Sequence, residues 1–357
     1  MKKKGCFYLL LLLMFALVIA GCGGNVKQDK VKDSKSNKVL NIYSWPDIYS
    51  PELIAEFEKK YNCKVNYDVF ANNEELLAKI QAGGAQYDLI QPSDYMVATM
   101  IKLGLLEELN KDKMPNVKVR NTLFKKPPYD PEGKYSAVYT WGITGIVYNT
   151  KYVKETPSSW ADLWKSEYKG RTILLNDSRE VIGMGLKKNG FSNSSQDTNE
   201  IKLAVDDIKK LAPNILAFDT DTIKQKFIAE EAWIGTMWSG DAIFANRDNK
   251  SLAFVIPKEN ATIWADNLAI PKGAKNKELA EAFINFVFDK EQSIKNYEAI
   301  GYINPDKDAL ALHSEKYRDN PIVKTSLAAI ENSEWLVDVG GQLPLYDRSW
   351  TEIKTGK

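Results

Sequence analysis

The chain has 357 residues, 44% of them hydrophobic and 27% charged; this is long for one compact body, comfortable for two, and excludes a disordered or fibrous protein. Lys+Arg 48 against Asp+Glu 47 leaves a net charge of +1, so no global field calls for a nucleic-acid polymer and any charge recognition is local. His313 is the only histidine, which rules out a multi-histidine metal site and counts against a Ser-His-Asp triad; it is expected at the surface or behind a site.

The N-terminus reads as a targeting segment. "MKKK" supplies positive charge and "FYLLLLLMFALVIA" an apolar run short for a membrane span. "IAGC" resembles a bacterial lipobox ending at Cys22, the expected lipid-bearing residue. Residues 1–21 are therefore expected to be a lipoprotein signal peptide. The polar, Lys-rich stretch "GGNVKQDKVKDSKSNK" makes 22–38 a flexible tether. With Cys6 in the signal and Cys22 acylated, Cys63 stands alone, so no internal disulfide is expected; it reads as a small buried residue between helix and strand.

Beyond the tether, "VLNIYSW" alternates like a strand. "SPELIAEFEKKYN" then offers Ser50 as N-cap, Pro51 at the first helical position, and Leu53, Ile54, Phe57 and Tyr61 on one face. "KVNYDVF", "NEELLAKIQAG", "YDLIQPS" and "YMVATMIKLG" continue the alternation of strand and helix, which predicts a mostly parallel sheet. "YSAVYTWGITGIVYNTKYV" reads as two extended segments around Gly142 and Gly145. After it come a strand in "RTILLN", a helix in "SREVIGMGLKKNG" and a longer helix in "TNEIKLAVDDIKKLAPN". Strands "AWIGTMWSG" and "ATIWADNLAIP" follow, then a helix in "NKELAEAFINFVFD" with Leu279, Phe283, Phe286 and Val287 facing a core. Two α/β bodies without a long linker suggest lobes joined by strands that cross between them. The expected division is 39–143 with 266–312 as lobe 1, and 144–265 with 313–357 as lobe 2, which ends in a C-terminal helix.

Aromatic and acidic residues gather in "YSWPDIY", "QPSDYM", "LLNDSREV", "TMWSGDAI" and "IWADN". Asp177 and Glu180 have the spacing of a capping box, and Ser93 or Asp94 can cap the following helix. Trp45, Trp238 and Trp264 can equally be core residues. Trp264 and Asp266, two apart on a strand, point to one space. Indole faces beside carboxylates suit a cation on an apolar stem, because carboxylates bond ammonium protons while aromatic faces cover methylenes.

Taken together, these segments, with "SSWADLWKSEYKG", "AIGYINP" and "NSEWLVDVG", follow in order and spacing the extracytoplasmic spermidine/putrescine-binding proteins of polyamine ABC importers, which the chain resembles from Val39 to about Lys354. The resemblance implies an α/β, two-lobed periplasmic-binding-protein fold of type II, each lobe a mainly parallel sheet flanked by helices. It implies a polyamine site with an aromatic box of Trp45, Tyr95, Trp238, Trp264 and Tyr302. Its acidic anchors would be Asp177, Glu180 and Asp266, with Ser93 adding a hydrogen bond and Asp47 near one ligand end. Two positions depart from the family pattern: Ile48 stands where a tyrosine is common, and Leu336 where a glutamine is common, so the choice between spermidine and putrescine stays open. No catalysis and no cofactor are implied, and the expected partners are the ligand, the membrane through a lipid anchor, and permease subunits serving a monomer. Capture of a quaternary ammonium osmolyte and a carboxylate-pair glycosidase are the competing readings; the first needs fewer carboxylates, and the second has no need of a tether.

Overall fold

Ser50 caps the first helix as its spacing predicts. Its hydroxyl accepts the Leu53 N–H at 3.1 Å, and helix Pro51–Tyr61 turns Leu53 and Phe57 into the core. The computed structural model describes residues 38–83, 86–117, 124 and 126–356. The expected signal peptide, Cys22 and all of the tether except Lys38 lie outside these residues.

Among the described residues, ten strands form one sheet. In chain order they are β1 (Lys38–Ser44), β2 (Cys63–Val69), β3 (Leu89–Ile90), β4 (Ser136–Asn149) and β5 (Thr172–Leu174). Then come β6 (Ile215–Phe218), β7 (Ile234–Trp238), β8 (Leu252–Val255), β9 (Thr262–Ala269) and β10 (Glu334–Trp335). Their order across the sheet is β2-β1-β3-β9-β4-β7-β5-β6, with β8 against β4 and β10 against β9. Both flanks are parallel, β1 with β2 and β3 on one side and β5 with β6 and β7 on the other. Such strands need crossovers, supplied by helices Pro51–Tyr61 and Asn73–Gln81 on the first flank, and by Ser178–Lys188, Thr198–Lys210 and Ile223–Ile228 on the second. The centre is antiparallel: β9 pairs with β3 and β4, and β4 pairs with β7.

The stretch expected to be two extended segments is a single strand, β4, buried along all 14 residues. Its glycines do not break it. Gly142 lies opposite Trp264 on β9, and a Cβ there would come within 2.5 Å of the indole. The glycine thus marks a close approach of a large side chain, one of the reasons a strand interior tolerates glycine.

Asn37–Lys357 forms one compact unit with two apolar clusters. One gathers Leu53, Phe57, Phe283, Phe286 and Val287 against β1, β3 and β9, with Leu279 partly buried beside them. The other gathers Ile146, Leu174, Leu186, Ile201 and Ile208 with Tyr346 of the C-terminal helix Leu343–Thr355. Each fully buried side chain of this size contributes about 1.5–3 kcal/mol. That firmness holds the strand ends in place.

Two lone residues are placed by the fold. His313 is buried, which excludes the surface and leaves the other expected place, behind the site; it stacks on Tyr317 with ring centroids 4.5 Å apart, and its Nδ1 lies 3.3 Å from a Glu298 carboxylate oxygen. Burial holds its pKa below the usual histidine value. Cys63 opens β2 directly after the helix end, but it is half-buried, because that strand is at the sheet edge.

Candidate functional site

A narrow cavity, its walls drawn closely together, opens where β1, β7 and the helix Ser178–Lys188 converge on the face of β4 and β9. Nine of the ten candidate residues line it: Trp45, Ser93, Tyr95, Asp177, Glu180, Trp238, Trp264, Asp266 and Tyr302. Ile48 and Leu336, the two departures, line it as well, and so does Asn73, which the sequence reading did not single out.

The aromatic wall is a chain of edge-to-face contacts. Trp45 meets Trp238 at 5.4 Å between centroids, Trp238 meets Trp264 at 6.0 Å, and Trp264 meets Tyr302 at 5.8 Å. Glycines make room for it: besides Gly142 under Trp264, a Cβ at Gly240 would come within 2.5 Å of the Tyr302 ring. The wall is therefore seated in the backbone and not loosely hung from it.

The carboxylates are held from several directions. Asp266 on β9 accepts the Ser93 hydroxyl at 2.8 Å and the Thr140 hydroxyl at 3.1 Å. Ser93 is itself fixed by Asn73, whose amide donates to its Oγ at 3.1 Å and whose Oδ1 accepts its N–H at 3.0 Å. Glu180 Oε1 accepts from the Thr144 hydroxyl at 2.8 Å and the Trp238 indole at 3.2 Å. Asp177 caps the helix Ser178–Lys188, accepting the N–H groups of Arg179 at 2.9 Å and Glu180 at 3.0 Å. The pair divides its work: Asp177 caps, while Glu180 leaves the box and turns to the cavity.

Thr140 and Thr144 were missed, although their spacing carried a signal. Together with Gly142 they alternate along β4 on one face, opposite Asp266, Thr262 and Trp264 of β9. Asp47 takes a different place from the other candidates. It sits in a left-handed turn at φ 56° with its side chain 62% exposed, is not among the lining residues, and pairs with Lys224 at 2.8 Å.

Electrostatically the site is loaded against negative charge. Burial, with Asp177 nearby, raises Glu180 to about 8. Burial raises Asp266 to about 7, although the Ser93 and Thr140 hydroxyls pull it down. Asp177 and the neighbouring Glu74 and Asp94 are raised by burial too, with Arg179 acting in the opposite direction on each. Arg179 is fully buried between the rings of Tyr95 at 4.8 Å and Tyr346 at 5.0 Å. Among the described residues, Glu180 Oε2 and the indole nitrogens of Trp45 and Trp264 are buried without a hydrogen-bond partner. Among the described residues, no lysine, arginine or histidine lines the cavity. An unpaired buried carboxylate is costly, and a cation relieves that cost where an anion would add to it.

The sequence matches the model of the bacterial extracellular solute-binding proteins over residues 52–325. It is 36% identical over 324 residues to the spermidine/putrescine-binding periplasmic protein of Escherichia coli K12, covering 90% of this chain and 93% of that protein. A solved structure described as a putative spermidine/putrescine ABC transporter from Listeria monocytogenes superposes with a TM-score of 0.86 at 33% identity, over 90% of this chain and all of that one. The TpPotD lipoprotein of Treponema pallidum superposes with a TM-score of 0.78 at 28% identity, covering 88% and 99% of the two chains. The architecture is the type II periplasmic-binding-protein fold. These are binding proteins rather than catalysts, which removes the glycosidase reading. By its sequence, its fold and the extent of both matches, the chain belongs to the bacterial extracellular solute-binding proteins.

Proposed function

We propose that this protein captures polyamines, spermidine or putrescine, outside the cytoplasmic membrane and delivers them to the permease of an ABC transporter. One observation carries the reading: three buried carboxylates, Asp177, Glu180 and Asp266, face a single cavity walled by Trp45, Trp238, Trp264 and Tyr302. An ammonium group accepts both kinds of partner, and the methylenes between two such groups need an apolar cover. A quaternary ammonium ligand can use the aromatic wall but has no N–H to give these carboxylates, so it leaves the charge-assisted bonds unmade. Relatives named for spermidine and putrescine support the same choice.

In this reading Trp45, Tyr95, Trp238, Trp264 and Tyr302 cover the carbon chain, Asp177, Glu180 and Asp266 take the ammonium groups, and Ser93 completes the polar contacts, while Asp47 is held by Lys224 outside the lining. Charge-assisted bonds of roughly 1.5–3 kcal/mol each and cation–π contacts of roughly 0.5–2 must exceed an association cost of about 4–15. Micromolar binding needs about −8 kcal/mol in total, within that reach. The two lobes, 39–143 with 266–312 and 144–265 with 313–357, close on the ligand by bending β4 and β9. The support is that these strands pair with each other at the cavity and with different flanks at their opposite ends. Cys22 carries the lipid anchor of a monomer, as the "IAGC" sequence and the relative named a lipoprotein suggest. Calorimetric titration with putrescine, spermidine, spermine, betaine and neutral sugars tests the reading. Heat with polyamines alone is the expected result, and silence with every polyamine from folded protein would refute it.

A further inference from the structure

Lys224 is the second residue of the short helix Ile223–Ile228, and it is only 5% exposed. Lysines are almost never found so deep without a partner. Its Nζ lies 2.8 Å from Asp47 Oδ2 and 3.3 Å from Asp241 Oδ1, and 5.4 Å from the centroid of the Phe244 ring. An ammonium group between two carboxylates and beside an aromatic face repeats the chemistry that the cavity offers a ligand. The two places adjoin. Asp241 Oδ1 also accepts the hydroxyl of Tyr302 at 3.2 Å, Tyr302 lines the cavity, and Asp47 is two residues from Trp45, which lines it as well. The Asp47 side chain is 62% exposed and that of Asp241 only 6%, so Lys224 bridges a carboxylate at the surface to one in the interior.

We propose that Lys224 sets the ligand's length: the protein's own ammonium occupies Asp47 and Asp241 just beyond the Trp45–Tyr302 side of the cavity, so a diamine is taken in preference to a triamine. This rests on the polyamine reading. Asp47 and Asp241 already share one positive charge, and a further ammonium approaching them meets that charge. Ile48 and Leu336 line the cavity with side chains that accept no hydrogen bond. Asp177 and Glu180 stand at one helix start and together take one ammonium group, and Asp266 on β9 takes the other. The third amine of a triamine finds no anchor.

The test is calorimetric titration of the full chain in detergent with putrescine and with spermidine, for the wild type, Lys224→Met, Lys224→Arg and the double variant Lys224→Met/Asp47→Asn. The wild type is expected to bind putrescine more tightly. Lys224→Met should move the preference toward spermidine by about tenfold or more, a difference of about 1.4 kcal/mol between the two ligands. Lys224→Arg keeps the charge and should keep the wild-type ratio, and the double variant should lose the gain, because Asp47 is the carboxylate that the longer ligand acquires. General loosening of the fold weakens both ligands together and leaves the ratio alone. A ratio unchanged in Lys224→Met with both ligands still bound overturns the inference and leaves the polyamine reading standing, as does a wild type that prefers spermidine. Binding of neither polyamine by the wild type overturns both. If Lys224→Met does not fold, because Asp241 loses its buried partner, Lys224→Met/Asp241→Asn restores the balance and must show the same shift toward spermidine.

Discussion

Replacing Asp266 by asparagine should have two effects of opposite sign. The side chain keeps its shape, and its amide can still exchange hydrogen bonds with the Ser93 and Thr140 hydroxyls, which are able to donate or accept. What it loses is the charge. Without ligand that charge is a burden: the folded protein holds the carboxyl at about 7 instead of 3.8, mainly through burial. A group whose folded pKa is raised binds more protons in the native state, so wild-type stability falls as the pH rises from about 4, and the loss levels off above about 7. About three pH units at 1.36 kcal/mol each come to roughly 4 kcal/mol, an order-of-magnitude figure. With an unfolding entropy of about 2.1 cal/mol/K per residue over Asn37–Lys357, that is about 6 °C in Tm. The unliganded variant should therefore melt close to the wild type at pH 4 and several degrees above it at pH 8. Binding should move the other way, with putrescine affinity at pH 8 reduced by at least about tenfold, the worth of one charge-assisted bond. Calorimetric scans from pH 4 to 8.5 and titrations at pH 8 check both halves. A melting difference that does not change with pH, or normal binding by the variant, refutes the argument that this carboxylate is held for a cation.

The same titrations predict that polyamine affinity rises between pH 6 and about 8.5, because Asp266 near 7 and Glu180 near 8 must lose their protons to bind an ammonium group; buffers of different ionisation heat should register protons released on binding, and flat affinity over this range would contradict it. Gly142→Ala places a Cβ within 2.5 Å of the Trp264 indole and within 2.8 Å of the Ser239 hydroxyl. It should cost about 1–3 kcal/mol in denaturant unfolding and weaken binding as the indole is displaced. Ile48→Tyr adds a hydroxyl at the cavity wall and should change the ratio of spermidine to putrescine affinity; competition titration with the two ligands reads this directly, and an unchanged ratio removes Ile48 from the specificity argument.

Much of the site was legible because its residues announce themselves locally. Trp264 and Asp266 share a face by strand alternation, and Asp177 and Glu180 sit at a helix start by capping chemistry; the cavity brings both pairs together. The alternation of strands and helices likewise gives the parallel flanks. What the sequence hid are relations between distant residues. Gly142 and Gly145 looked like breaks in an extended run, because the indole and phenyl rings that need their space come from Trp264 and Phe254, more than a hundred positions away. Thr140 and Thr144 are ordinary strand residues until β9 and the helix Ser178–Lys188 bring carboxylates to their hydroxyls. Asp47 looked like one more site acid, and only the fold reveals a lysine 177 positions further along that pairs with it. His313 carried no local mark of burial, which comes from its stacking on Tyr317 and its approach to Glu298.

The acids are also arranged so that each makes the next harder to ionise. Asp177 raises both Glu180 and Asp266, and Asp266 in turn raises Asp94. Asp177 and Glu180 repel within the first turn of the helix after β5, whereas Asp266 comes from β9, so its repulsion with Asp177 acts between parts of the fold. A positive charge among them converts that repulsion into attraction. The ligand's charge is then worth more than its own contacts, because it also cancels a cost already present in the empty site. A neutral molecule of the same shape gains the contacts alone. The indole wall does not distinguish the two as sharply, since dispersion against methylenes is indifferent to charge. Selectivity for cations therefore resides mainly in the buried carboxylates, and selectivity among cations in whatever already neutralises some of them.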